Sequence, residues 1–267
     1  MAWALVQGLL RHGVAPSQLR VGEPVETQRA KYQGELGVVA LAENSAAVRD
    51  ATLVVLAVKP QQALAALAEL RGELSVRRAL LLSIAAGTRV ADLMTCVPGL
   101  PVVRAMPNRP ALVGAGVTAL YAGPDVDGEN RVLAEQVCAA VGRTVWVRRE
   151  TDLDIVTALS GSGPAYFFLL AEHLAAAGAA QGLDPSTAEM LAVQALRGAG
   201  AMLEGTGHVN AQREAVTSQG GTTAAALGAL AAGGFDKLVA AAIAAATRRG
   251  AELGALGGRP AEPEPSE

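Results

Sequence analysis

The segment Thr217-Ser-Gln-Gly-Gly-Thr-Thr223 sets four hydroxyl side chains around a glycine pair, directly ahead of the alanine-rich stretch 224–232. A helix start needs only one Ser or Thr as its N-cap, so four hydroxyls exceed what capping requires. Hydroxyls, together with the backbone N–H groups exposed at a helix N-terminus, make a receptor for a carboxylate. A second glycine-rich turn, Ser160-Gly-Ser-Gly-Pro-Ala-Tyr166, reads either as a hinge between two helices or as another helix start with free donors.

Weaker signals lie in the first half. Ala57-Val58-Lys59-Pro60 closes the most apolar run; on its own, Lys59 reads as a solvated lysine before a helix-starting proline. Ser83-Ile-Ala85-Ala86-Gly87 offers small residues that let backbone approach a flat ring, and fits an ordinary strand-to-helix turn equally well. Met106-Pro-Asn108-Arg109-Pro-Ala111 is stiffened by two prolines; Asn108 has the groups to orient a ligand, although a rigid connector is a comparable reading. Glu23 follows a short strand, where an acidic side chain reads the ribose hydroxyls of a dinucleotide and repels a 2′-phosphate; this leans toward NADH. Asn44 stands at the next turn, either against the adenosine or as a cap for 45–49.

The elements that must hold these residues alternate in the first half. Helical spacing over 1–12 stops at Gly13; strands are expected at 19–22, 38–41, 52–58, 79–84, 102–105, 117–121 and 144–147. Helices are expected at 25–36, 61–71, 88–96 and 128–140. Continuous apolar runs such as Thr52-Leu-Val-Val-Leu-Ala-Val58 suit strands covered on both faces. The rhythm predicts an α/β, doubly wound Rossmann-type parallel sheet in a dinucleotide-binding domain over 1–150.

From 151 to 256 only helical periodicity is present, with helices expected at 152–159, 164–181, 185–203, 211–216, 223–232 and 235–253. Thr151 with Asp154 reads as a capping box, and Asp184-Pro185 as an N-cap before a first-turn proline. Residues 257–267, rich in Pro and Glu, read as a disordered tail. A dinucleotide-binding domain opens with a strand and a G-x-G-x-x-G/A turn, whereas this sequence starts inside the helix that follows them. The expectation is a missing first strand, central in the sheet, through a start assigned too late rather than a true truncation.

Composition removes several classes. The net charge of −3, with no cluster of Lys or Arg, argues against a nucleic-acid partner. No uninterrupted apolar run reaches the roughly 18 residues of a membrane span, so no membrane partner is expected, and no signal peptide is legible at the N-terminus. Cys96 and Cys138 are not in metal-ligand spacing and read as buried free thiols in a reducing cytoplasm; no metal is expected. Aromatic residues are only 3% while Ala and Gly abound, so stability is expected to depend partly on a subunit interface.

Taken in register, Ala57-Val-Lys-Pro60, Ser83-Ile-Ala-Ala-Gly87, Met106-Pro-Asn108, Ser160-Gly-Ser-Gly-Pro-Ala-Tyr166 and Gly220-Gly-Thr-Thr223 resemble the pyrroline-5-carboxylate reductase family, from Met1 to about Leu253. Met1-Ala2 is similar to the last two positions of the family's G-x-G-N-M-A segment. The resemblance implies a Rossmann domain followed by an all-α dimerisation domain, a homodimer that can assemble into rings, and reduction of 1-pyrroline-5-carboxylate to L-proline by NADPH or NADH in the cytoplasm. It implies that Asn44, Val58, Lys59 and Ala86 line the cofactor. With the strand-end reading, the full cofactor set becomes Glu23, Asn44, Ala57, Val58, Lys59, Pro60, Ala85, Ala86, Gly87 and Asn108. Ser218, Gly220, Gly221, Thr222 and Thr223 would hold the substrate, in a pocket shared between subunits, with Thr223 orienting the imine nitrogen as the catalytic hydroxyl. Arg109 and Gln219 stand where the family usually has Thr and Pro.

Two rivals are weighed. A β-hydroxyacid dehydrogenase would need a catalytic lysine in the second domain, where Lys237 in the last helix is the only lysine after residue 150. A non-catalytic homologue that only oligomerises or regulates would explain the absent phosphate loop.

Overall fold

The computed structural model describes residues 1–204 and 208–256; the expected tail at 257–267 lies outside them. The described residues form two compact units, one of 1–161 with 246–256, the other from Ser162 to Ala245.

The first unit opens with α1 (Ala2–Arg11), β1 (Arg20–Gly22), α2 (Glu26–Leu36), β2 (Val39–Leu41) and α3 (Asn44–Val48). Next come β3 (Leu53–Leu56), α4 (Pro60–Glu69), α5 (Arg71–Arg77), β4 (Leu80–Ser83), α6 (Val90–Cys96) and β5 (Val102–Met106). The rest of the alternating part is β6 (Gly116–Ala122), α7 (Gly128–Ala139), β7 (Gly142–Trp146) and α8 (Asp152–Val156). Helix α1 buries Ala4, Leu5 and Gly8 along one face, and Gly13 ends it with φ of 88°, a conformation that costs glycine nothing.

The strands form two ladders. β1 pairs in parallel with β2, and β3-β4-β5-β6-β7 form the larger one. Among the described residues no strand lies between β1 and β3, where a doubly wound sheet places its opening strand. In β4 all four residues are buried, as a strand covered on both faces requires. Side chains alternate across it: Leu81 joins a core with Leu56, Leu67, Leu74, Leu93 and Val97. Leu80 and Leu82 face the other way, toward Val103, Leu120, Ala134 and Cys138. Each such leucine contributes about 1.5–3 kcal/mol of burial.

One strand departs from the parallel expectation. β6 runs antiparallel to β5, with Met106 opposite Ala119. The connection 107–115 is a short 3-10 turn ending at Gly114 (φ 76°), and a parallel return needs a crossover of about a dozen residues. Cys138 is buried, which pushes its thiol up to about 12; Cys96 is only half-buried, contrary to expectation.

The second unit contains α9 (Gly163–Ala180), α10 (Pro185–Met202), α11 (Val209–Ala215) and α12 (Thr222–Ala232), with the first part of α13 (Phe235–Leu256). Asp184 caps α10 by accepting from the Thr187 N–H, as its sequence predicts. Thr151, in contrast, has helical backbone angles and makes no side-chain cap bond; Arg149 and Asp152 pair there instead, at 2.7 Å. Helices α9 and α10 meet through small residues: a β-carbon on Gly178 would touch the Ala188 side chain at 3.5 Å.

This second unit has little interior of its own. α12 buries no residue, while Phe167, Phe168, Leu174, Met190, Val193 and Leu238 are each more than half exposed. By length and composition alone, residues Asp152–Ala180 would suffice to cross a bilayer, although charged and small residues interrupt the run.

Candidate active site

The cofactor residues expected from sequence all fall in the first unit, in the loops after its strands. Glu23 follows β1, and its N–H donates to the Leu41 carbonyl of β2. Gly22 packs against the Asn44 side-chain oxygen so closely that a β-carbon has no room. Glu23 and Asn44 therefore share one corner. Ala57, Val58 and Lys59 follow β3, with Lys59 as N-cap and Pro60 in the first turn of α4. No side chain caps α4; Pro60 has no N–H and the Gln62 N–H donates to the Lys59 carbonyl at 2.9 Å, which leaves the Gln61 N–H and the positive dipole end beyond the strand.

Ala85, Ala86 and Gly87 form the turn after β4. Ala86 is exposed and Ala85 buried. Gly87 has φ of 78°, and a β-carbon on it would meet the Leu253 backbone at 3.3 Å. Asn108 is almost fully buried; its carboxamide oxygen accepts from the Val117 N–H at 2.9 Å and its nitrogen donates to the Ser160 carbonyl at 3.1 Å. Those bonds brace the loop after β5.

The substrate residues expected from sequence lie in the second unit, at the start of α12. Gly220 has φ of 71°, and the Gly221 N–H donates to the Ser218 carbonyl at 3.1 Å, closing a turn. The Ser218 hydroxyl folds back against the Gly221 α-carbon. Gly221 is the N-cap and no side chain caps the helix. Consequently the N–H groups of Thr222, Thr223 and Ala224 have no backbone acceptor among the described residues. Of the donors expected at Gly220, Gly221 and Thr222, the turn consumes the Gly221 N–H, while those of Thr223 and Ala224 join the open set. Thr217 also leaves the set: its hydroxyl donates to the Arg213 carbonyl at 2.6 Å, at the end of α11. Three hydroxyls remain, those of Ser218, Thr222 and Thr223, around an uncapped helix start.

Known proteins place this arrangement. Residues 150–253 match the family described as "Pyrroline-5-carboxylate reductase dimerisation", and residues 1–87 match "NADP oxidoreductase coenzyme F420-dependent". The pyrroline-5-carboxylate reductase of Pseudomonas aeruginosa is 43% identical over 95% of this chain and 93% of its own. That of Haemophilus influenzae is 40% identical over 96% and 95%. This chain belongs to the pyrroline-5-carboxylate reductase family.

Solved structures agree. The pyrroline-5-carboxylate reductase from Coxiella burnetii superposes with a TM-score of 0.91 at 37% identity, covering 94% of each chain. The Plasmodium falciparum pyrroline carboxylate reductase, solved with NADP bound, gives 0.79 at 28% identity, covering 94% of this chain and 93% of its own.

Sequence reasoning missed the frame that this reductase-family chain builds behind its β4 turn. Arg104 of β5 pairs with Glu150 at 2.7 Å, and the same Glu150 oxygen accepts from the Val90 N–H at 2.7 Å. Arg89 pairs with Asp154 at 2.7 Å, and a β-carbon on Gly254 would strike the Arg89 guanidinium. Burial pulls the Arg104 guanidinium below its ordinary value, while Glu150 opposes that pull. The available signal was an arginine inside Val102-Val-Arg-Ala-Met106, since a charge in a buried strand requires a partner. The Ser160 hydroxyl is also engaged, donating to the Val156 carbonyl at 3.0 Å. Arg109, just after Asn108, opens the 3-10 turn and is exposed, as is Gln219 beside Gly220.

Proposed function

We propose that this protein reduces 1-pyrroline-5-carboxylate to L-proline, taking hydride from NADPH or NADH. The observation that carries the substrate reading is the α12 start: three unshared N–H groups and three hydroxyls around Gly220-Gly221 with no internal cap. A carboxylate placed there accepts charge-assisted bonds and meets the positive end of the helix dipole.

The first unit has groups that fit a nicotinamide dinucleotide. Asn44 and Glu23 stand at one corner, an uncapped α4 start follows β3, and exposed Ala86 lies beside a glycine turn with no side chain to obstruct a flat ring. When bound, that cofactor supplies the hydride. The residues of this chain hold and orient. Ser218 and the donors of Thr222–Ala224 bind the substrate acid group. The Thr223 hydroxyl, half-buried at the helix start, hydrogen-bonds the imine nitrogen and passes it a proton from water. The nitrogen is basic enough that no strongly shifted acid is needed, and the rate comes chiefly from fixing two reactants in place.

The exposed apolar side chains of α9, α10 and α13 and the coreless α12 fit a second copy of the chain, in a homodimer that can extend to a ring of dimers. On this reading the protein works in the cytoplasm without a membrane, nucleic-acid or metal partner. The non-catalytic alternative has no observation in its favour.

The test is kinetic. Thr223→Val should keep the fold by circular dichroism and lower kcat for the imine by about a hundredfold, the usual size of a proton-transfer contribution. Unchanged kcat would remove Thr223 from the mechanism. Absence of imine-dependent NADH or NADPH oxidation by the native protein would overturn the reading itself.

A further inference from the structure

We propose that Glu23 makes this protein select NADH over NADPH; the inference rests on the reductase reading and sharpens it. An acidic side chain at the end of a strand that precedes the second helix of a dinucleotide fold accepts hydrogen bonds from ribose hydroxyls and repels a phosphate on the 2′ position. Position alone does not decide selectivity, because a nearby free cation can still receive the phosphate. The surroundings of Glu23 decide it.

Glu23 lines a cleft of about 360 Å³ together with Trp3, Gln28, Lys31, Tyr32 and Glu35. Its carboxylate is held in place, one oxygen accepting from the Val25 N–H at 3.0 Å. The second oxygen makes no bond with a described residue and remains for a ligand. Its charge is felt inside the cleft: burial, and then Glu23, push the Tyr32 phenol above its ordinary value. Tyr32 in turn packs against Trp3, with ring centroids 5.0 Å apart, and forms the apolar wall.

The two arginines nearest in sequence are already engaged: Arg20 donates to the Arg49 carbonyl at 2.9 Å. Arg29 donates to the carbonyl of Glu23 at 2.9 Å and to that of Pro24 at 2.7 Å. An arginine facing two backbone carbonyls from one nitrogen is turned toward the loop, where it stiffens the turn that carries Glu23. Pro24, next in the chain, has no side-chain donor. Of the lining residues, Lys31 brings one positive charge against the two negative charges of Glu23 and Glu35. A 2′-phosphate carrying close to two negative charges would enter a corner whose balance is already negative, whereas a 2′-hydroxyl meets a fixed acceptor.

Isothermal titration of the full chain with NADH and with NADPH, without imine, reads the selectivity directly. Native protein should bind NADH at least about tenfold more tightly, equivalent to about 1.4 kcal/mol. The gap should shrink as salt rises, because repulsion between partly exposed charges is screened. Glu23→Gln keeps the acceptor for the Val25 N–H and removes the charge, so NADPH should tighten and the ratio fall to within about twofold. Equal or tighter NADPH binding by native protein, or an unchanged ratio in Glu23→Gln, overturns the proposal and leaves the reductase reading intact. If neither nucleotide binds, both fall together.

Discussion

The α-carbon of Gly87 lies against the backbone of Leu253, so closely that an added β-carbon would stand 3.3 Å from the leucine carbonyl. The turn after β4 is thus backed by the last turns of α13, and its left-handed backbone (φ 78°) leaves room for glycine alone. Gly87→Ala should cost about 1–2 kcal/mol from the backbone conformation, lowering Tm by about 4 °C. It should also weaken nucleotide binding, because the turn must shift to admit the methyl group. Thermal scans with and without NADH check both effects.

Arg104 predicts a larger loss. Its side chain is 5% exposed and answers Glu150. Arg104→Met fills the space and leaves Glu150 without its cation, while the Val90 N–H bond remains. Removing one partner of a buried pair costs about 3 kcal/mol, and urea unfolding should show that loss. Arg104→Met combined with Glu150→Gln should recover part of it, since the stranded charge is gone.

Thr217 and Thr223 look equivalent in the sequence but should behave differently. Thr217 donates to Arg213 at the end of α11, so Thr217→Val should lower stability by about 1 kcal/mol, the worth of one such bond. The kcat for the imine should stay within about twofold. A loss of turnover in Thr217→Val comparable to that in Thr223→Val would mean that the turn acts as one unit and that its hydroxyls have no separate roles.

Asp184 gives a pH dependence. Its carboxylate accepts from the Ser186 hydroxyl at 2.6 Å and from the Thr187 N–H at 3.2 Å. These bonds favour the charged form and hold the group below its ordinary 3.8. A lowered folded-state value means that the contribution is fully present above 3.8 and is lost as pH falls through the lower value. The Tm difference between native protein and Asp184→Ala should therefore be constant near neutrality and close as the solution becomes strongly acidic.

Much of this molecule was legible before its structure, and the exceptions have physical causes. Residues 79–82 are apolar without interruption, and β4 is buried on both faces. Asp184-Pro185 announced the start of α10 because its side chain and ring act within a few residues. Thr151 failed as a cap because Arg89 holds Asp154, its expected partner, and the chain was already helical there. The direction of β6 was not legible, since it depends on the length of the 107–115 connection rather than on any pattern within the strand. At the site, the Gly-Gly turn was visible, but which donors it leaves open was not. That depends on the Gly221 N–H bond to Ser218 and on the Thr217 hydroxyl bond to Arg213, which are contacts between particular atoms.

Residues 246–256 complete the first unit even though the whole of 162–245 intervenes. During synthesis, then, the nucleotide-binding half cannot reach its finished form when its own strands have emerged. Gly87 and Arg89 wait for Leu253 and Gly254, which leave the ribosome only after all of 162–245. Truncations that stop short of residue 250 should yield an open, protease-sensitive first half, however intact its strands.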